Sequence, residues 1–248
     1  MSVTVEICVE GVDGLVAAQE AGADRVELCA SLLEGGITPS MGTVRAALRV
    51  ATIPFHVIVR PRGGDFLYSD LEFDSMLEDV KQLKTMGVAG VVIGCLTPEG
   101  TIDEVRTRAL VDAAKPMKVT NHRAFDMTRD IGEAIEALIR CGVDRVLTSG
   151  QADNAEAGVD TMARTVEAAK GRIRIMACGG LTDGNIADIY RRTHVDDLHF
   201  AALKDIDSGM RYRNMGVTMG GEAADAEFRV TVTDRDAVRA TIEALRGA

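Results

Sequence analysis

The chain has 248 residues, a formal net charge of -10 and a pI near 4.9. Such an acidic surface repels phosphate backbones and anionic lipid, which argues against nucleic acid or a membrane surface as a partner. With 46% hydrophobic, 27% charged and 5 Pro residues the composition is globular, and 4% aromatics without Trp leave Val, Ile, Leu, Ala and Met to build the core.

The first residues, MSVTVEICVE, enter a strand over 3–9 directly. They carry neither the basic flank nor the apolar stretch of a signal peptide, and no apolar run reaches the roughly 20 residues that cross a bilayer. A cytoplasmic location is expected. A helix over 12–21 follows and stops at Gly22. A strand over 25–29 then leads through a Gly-rich loop to a helix over 41–51. The alternation continues with strands over 55–60, 90–94, 118–122, 145–149, 173–177 and 197–201. The helices between and after them are expected over 73–86, 102–114, 131–140, 155–169, 182–192 and 237–245.

Thr182 and Asp234 are expected N-caps, and Gly87 and Gly142 sit where helices should end. Gly-Ala-Asp at 22–24 and Gly-Val-Asp at 142–144 mark the same helix-to-strand turn twice. About eight such units predict one α/β domain over residues 1–248, a closed (β/α)8 TIM-type barrel. A doubly wound open sheet is the alternative, but the chain lacks its GxGxxG turn, so no nucleotide cofactor is expected. Residues 203–233 show no helical period and are expected to form a long loop over the C-terminal mouth.

Strand residues two apart share a face, and inward residues near the C-terminal ends open into the mouth. Glu6 and Cys8 form one such pair, Glu27 and Cys29 another, then His56, Ile58 and Arg60, then Thr120 and His122, followed by Arg123 and Asp126. Ser149, Cys178 and His199 end later strands. So many ionisable residues facing inwards require partners or a use. A buried ion pair such as Glu27 with Arg60 would be the structural explanation. The functional one is a site, with His122, Asp126 and Glu27 as candidate acids or bases.

Arg60, Arg62, Arg123 and Arg211 carry guanidinium groups suited to a carboxylate or phosphate. With His56, Ser149, Gly179 and Gly180 they make a candidate site for a small anionic ligand, since the turn after the seventh strand often receives phosphate in such barrels. The five cysteines are odd in number and scattered, without CxxC, so neither a disulfide framework nor a zinc ribbon is expected. Cys8 and Cys29 close adjacent strands and form a candidate Cu(I) pair, because soft thiolates favour that ion. Met210, Met215 and Met219 are possible further soft ligands in the long loop.

Several ordered stretches resemble the CutC copper homeostasis family: Val26-Glu27-Leu28-Cys29, Glu34-Gly35-Gly36-Ile37-Thr38-Pro39-Ser40, Arg60-Pro61-Arg62-Gly63-Gly64-Asp65-Phe66, His122-Arg123-Ala124-Phe125-Asp126, Leu147-Thr148-Ser149-Gly150 and Met210-Arg211-Tyr212-Arg213-Asn214. The resemblance implies a TIM-type barrel, a cytoplasmic homodimer, a role in copper handling and copper ligands at Cys8 and Cys29. One departure is Cys178-Gly179-Gly180, where the family often has Gly or Ala first. An enzyme acting on a phosphorylated or carboxylated metabolite is the second functional expectation.

Overall fold

Alternation along the strands separates two sets of side chains. One set, including Val5, Ile7, Val26, Leu28, Val57, Val91, Ile93, Val146, Ile175 and Leu198, is buried among helix residues such as Leu15, Val44, Val80, Leu110, Leu138 and Ile189. Each fully buried aliphatic side chain contributes about 1.5–3 kcal/mol. This layer between strands and helices is the main core.

The computed structural model describes residues 3–219 and 224–247. Its strands are β1 (Thr4–Glu10), β2 (Arg25–Cys29), β3 (Phe55–Ile58), β4 (Gly90–Ile93), β5 (Lys118–Asn121), β6 (Arg145–Thr148), β7 (Arg174–Ala177) and β8 (Asp197–Phe200). They pair in chain order, all parallel, and β8 closes on β1. Around them run α1 (Gly11–Glu20), α2 (Met41–Val50), α3 (Asp70–Met86), α4 (Glu104–Ala114), α5 (Ile131–Cys141), α6 (Ala155–Ala169), α7 (Ile186–Thr193) and α8 (Arg235–Arg246). The expected (β/α)8 barrel is the observed fold.

The helix-to-strand turn recurs with one chemistry. Asp24, Asp144 and Asp196 each accept a hydrogen bond from the backbone N–H of the neighbouring strand, at Val5 (2.9 Å), Val119 (2.9 Å) and Ile175 (2.8 Å). The third copy, without the glycine, escapes a search for the tripeptide.

Three expectations change. First, α3 begins earlier than 73, because Ser69 and Glu72 form a reciprocal capping box. Second, α7 begins at Ile186, not Thr182. The Thr182 carbonyl accepts from Asn185 and Ile186, making a separate turn that feeds the helix. Third, the segment 203–233 is not structureless. β9 (Leu203–Asp207) and β10 (Arg229–Thr233) form an antiparallel ribbon, with Val230 opposite Ile206. Residues 220–223 of that segment lie outside the described residues. The ribbon is largely exposed, and Leu203 at its base borders the mouth.

Inside the barrel, the first residues of β2, β6, β7 and β8, together with Glu6 of β1, make a charged layer at the end opposite the mouth. Arg25 donates to Glu6, while Arg145 and Arg174 reach Asp197 at 2.7 and 3.0 Å. Glu6 and Asp197 are fully buried. The buried ion pairing expected inside the barrel is therefore real, but its partners are these residues and not Glu27 with Arg60.

Candidate functional site

A cavity of about 530 Å³ opens at the C-terminal ends of the strands. Cys8, Glu27 and His199 line its floor. Cys8 is in register with Glu27, and Cys29 is the next inward residue along β2. The two sulfurs meet diagonally at 3.6 Å. A sulfur from each cysteine and a Glu27 carboxylate oxygen all lie within 4.8 Å of one another.

The protonation pattern of this floor follows from contacts. The Cys29 thiol hydrogen-bonds Cys8 and, with His199 beside it, outweighs burial and brings the Cys8 thiol down to about 5. Cys8 is thus a thiolate at neutral pH. Burial pushes Cys29 well above its ordinary value, and the Cys8 charge adds to that. Burial likewise raises Glu27, again with Cys8 contributing. Burial alone would lower His199, but its bonds to Cys8 and Glu6 raise it well above the ordinary imidazole range. Its Nδ1 is 2.8 Å from Glu6 and its Nε2 is 3.7 Å from Glu27. Glu6, flanked by Arg25 and His199, is held far below the usual carboxylate range despite its burial. The floor therefore sets one thiol shifted down beside a thiol, a carboxyl and an imidazole that are all shifted up.

Two sulfurs 3.6 Å apart lie within reach of one ion, since metal–thiolate bonds run near 2.3 Å each. Glu27 Oε1 is buried without a hydrogen-bond partner among the described residues. The two sulfurs fit a soft cation, whereas the orphaned Glu27 oxygen is a hard donor and would serve such an ion only as a secondary ligand. Cys178 lines the same cavity but packs with Leu147 and Met176, outside the Cys8–Glu27–Cys29 group, and burial raises its thiol.

The walls carry the remaining candidates. Arg60 is buried and donates to the carbonyls of Glu34 (2.6 Å), Gly36 (3.0 Å) and Gly64 (2.8 Å). It clamps two βα loops and lies over the Phe66 ring, which in turn sits 4.8 Å from the His122 ring. His122 Nδ1 accepts from the Ala124 N–H, and burial lowers the ring to about 3, so it is neutral. His56 lies deeper, in register with Glu27 on β3, and burial lowers it to about 4.

Asp126 accepts from Thr148 Oγ1, from the N–H groups of Ser149 and Gln151, and from Arg123. Its carboxylate is spent on ordering the β6–α6 loop. Ser149 also donates to the Ala152 carbonyl and is fully buried, so it is part of that loop's frame. Arg123, Gly179 and Gly180 line the cavity. Arg62 does not. It pairs with Glu72 at the head of α3, at 2.6 Å. Arg211 and the three methionines Met210, Met215 and Met219 are exposed on the segment between β9 and β10, and none of them lines the cavity. Phe66 and Glu34 are among the lining residues that charge and spacing did not single out.

Residues 3–204 match the CutC family. The chain belongs to that family. It is 63% identical over 242 residues to a CutC family protein of Mesorhizobium japonicum, covering 98% of this chain and 94% of that one. The human copper homeostasis protein cutC homolog is 44% identical over 235 residues, covering 95% of this chain and 86% of its own length. The crystal structure of CutC from Streptococcus agalactiae superposes with a TM-score of 0.76 at 32% identity, covering 80% of this chain and 98% of that one. Phosphoribosylanthranilate isomerase of Thermotoga maritima, at 13% identity with a TM-score of 0.56 over the full length of both chains, shares the barrel alone. In this chain Cys8 lines the cavity and Cys29 lies buried behind it, their sulfurs 3.6 Å apart.

Proposed function

We propose that this chain serves copper homeostasis by binding one Cu(I) between the thiolates of Cys8 and Cys29. The observation that carries the reading is the 3.6 Å approach of two unbridged sulfurs, one of them on the cavity-lining Cys8. The relative named for copper homeostasis supports it. The reading places the protein in the cytoplasm, where free cysteines persist reduced, and no helix of the described residues is long and apolar enough to cross a membrane. When copper arrives, Cys8 is already an anion and Cys29 gives up its proton. His199 and Glu6 hold the thiolate in place.

The test is a chelator competition on reduced protein. About one Cu(I) per chain is expected, lost in the Cys8→Ser, Cys29→Ser double variant. An unchanged affinity in that variant would sink the reading.

Self-association as a homodimer belongs to the same proposal, and the β9–β10 ribbon supplies a surface for it. Leu203, Ile206 and Val230 are 44%, 44% and 48% exposed there. The enzyme reading retains Glu27, whose carboxyl lines the cavity and is shifted up by burial, as its candidate acid. Asp126 serves that reading as a positioning group, since its oxygens are already engaged.

A further inference from the structure

Two residues that line the cavity each carry a buried donor with no partner among the described residues. His122 is 4% exposed, and because its Nδ1 accepts from Ala124, the proton of the neutral ring sits on Nε2. That N–H has no partner among the described residues. Arg60 spends both terminal nitrogens on carbonyls, yet its Nε is also buried and unpartnered. Native proteins rarely leave buried donors unsatisfied, because each costs about 1–3 kcal/mol.

A third set of donors lies in the same cavity. Gly179 and Gly180 adopt positive φ values of 96° and 75°. A Cβ on Gly179 would come within 3.1 Å of the Ser149 Cβ and 3.3 Å of the Asn154 Cα, so only glycine fits the turn. The Gly179 carbonyl accepts from Ala155, whereas the amides of Gly179 and Gly180 donate to no group among the described residues. Arg123 stands beside them, with Nε and Nη2 bonded to Asp126, Ser149 and Ala152 and its Nη1 uncommitted among the described residues.

We propose that this cavity binds a small organic oxyanion above the thiol pair. Its charged group lies against the Gly179–Gly180 amides and Arg123, and a second oxygen accepts from His122 Nε2. Phosphate esters and carboxylates share this chemistry. The apolar part of the molecule lies against Phe66, which Arg60 holds from behind. A cavity of about 530 Å³ is ample for a metabolite of that kind. The site does not use copper, so it stands or falls separately from the thiol reading.

The experiment is titration of the reduced, metal-free protein with glycerol 3-phosphate, inorganic phosphate and malonate, against sodium chloride at matched ionic strength. Thermal midpoint and calorimetry report binding. At least one oxyanion should raise the midpoint saturably where chloride does not. Malonate acting alone identifies a carboxylate, and the phosphates acting alone identify a phosphate ester. The His122→Asn variant keeps an acceptor for the Ala124 N–H but loses the Nε2 donor. It should weaken binding about tenfold, the worth of one hydrogen bond. The Cys8→Ser, Cys29→Ser variant should still bind the anion, at least as tightly as the parent, because it removes the Cys8 charge from the cavity. Should His122→Asn fail to fold, histidine-selective nitrogen NMR of the parent provides the same decision. The His122 resonance must move on saturation, and exposed His194 must not. Equal response to chloride and oxyanions would overturn the proposal, as would saturable binding that leaves His122 unmoved.

Discussion

At the level of single residues, the two thiols differ in what they must lose to hold a metal. Cys8, near 5, is ionised across the neutral range, whereas Cys29 is raised and keeps its proton there. Binding Cu(I) through both sulfurs releases one proton, so affinity must rise with pH. Between about pH 6 and 8 the apparent dissociation constant should fall about tenfold per pH unit. A slope near two would bring in Glu27, whose raised carboxyl would then also ionise on binding. A flat profile from chelator competition would remove Cys29 from the ligand set. The inward line of Glu6, Cys8, Glu27, Cys29 and His199 was legible because a period of two needs only a strand and its direction. Applying the same rule two residues lower finds Arg25 and Asp197, two members of the charged layer. The mouth arginines were less legible. Sequence displays the charge of Arg60 and Arg62 but not the carbonyls and the Glu72 carboxylate that consume it.

At the level of elements, the β6–α6 junction shows packing overruling propensity. Gly158 lies in the first turns of α6, where alanine would gain about 1 kcal/mol of helix propensity. A Cβ there would come within 1.8 Å of the Ser149 carbonyl oxygen, and backbone cannot yield as a flexible side chain does. Gly158→Ala should therefore lower stability, by about 1–3 kcal/mol, read as a reduced urea midpoint at unchanged slope. A stabilised variant would show that the junction relaxes freely. Element existence was readable throughout the barrel, since each helix and strand carries its own period. Boundaries were less so. The capping box at Ser69 and the turn at Thr182 depend on which oxygen meets which N–H. The ribbon was missed for a different reason. Arg229-Val230-Thr231-Val232-Thr233 has a strand's β-branched residues, but Leu203-Lys204-Asp205-Ile206-Asp207 gives its partner no comparable signal.

For the whole molecule, the ribbon is the feature a closed barrel does not require. Ile206 and Val230 are cross-strand partners exposed at 44% and 48%. Under the self-association proposal, light scattering should report a dimer at micromolar concentration. The Ile206→Asp, Val230→Asp double variant should be monomeric with its barrel intact by circular dichroism. A parent that remains monomeric would end the proposal. The barrel itself was the most legible property of the chain, because eight alternating units restrict the architecture more than any single motif does.

The charged layer beneath the thiols has a kinetic consequence. Glu6, Arg25, Arg145 and Asp197 fill the far end of the barrel, each at most 7% exposed, so that end offers no passage. On the copper proposal, an ion held by Cys8 and Cys29 would enter and leave through the cavity that Phe66 and His122 line. With the sulfur-bearing residues only 8% and 1% exposed, a folded protein cannot bring its own ligands up to the pair. Handover falls to carriers the size of a small thiol, and residence time is set by traffic through that cavity as much as by the strength of the sulfur bonds.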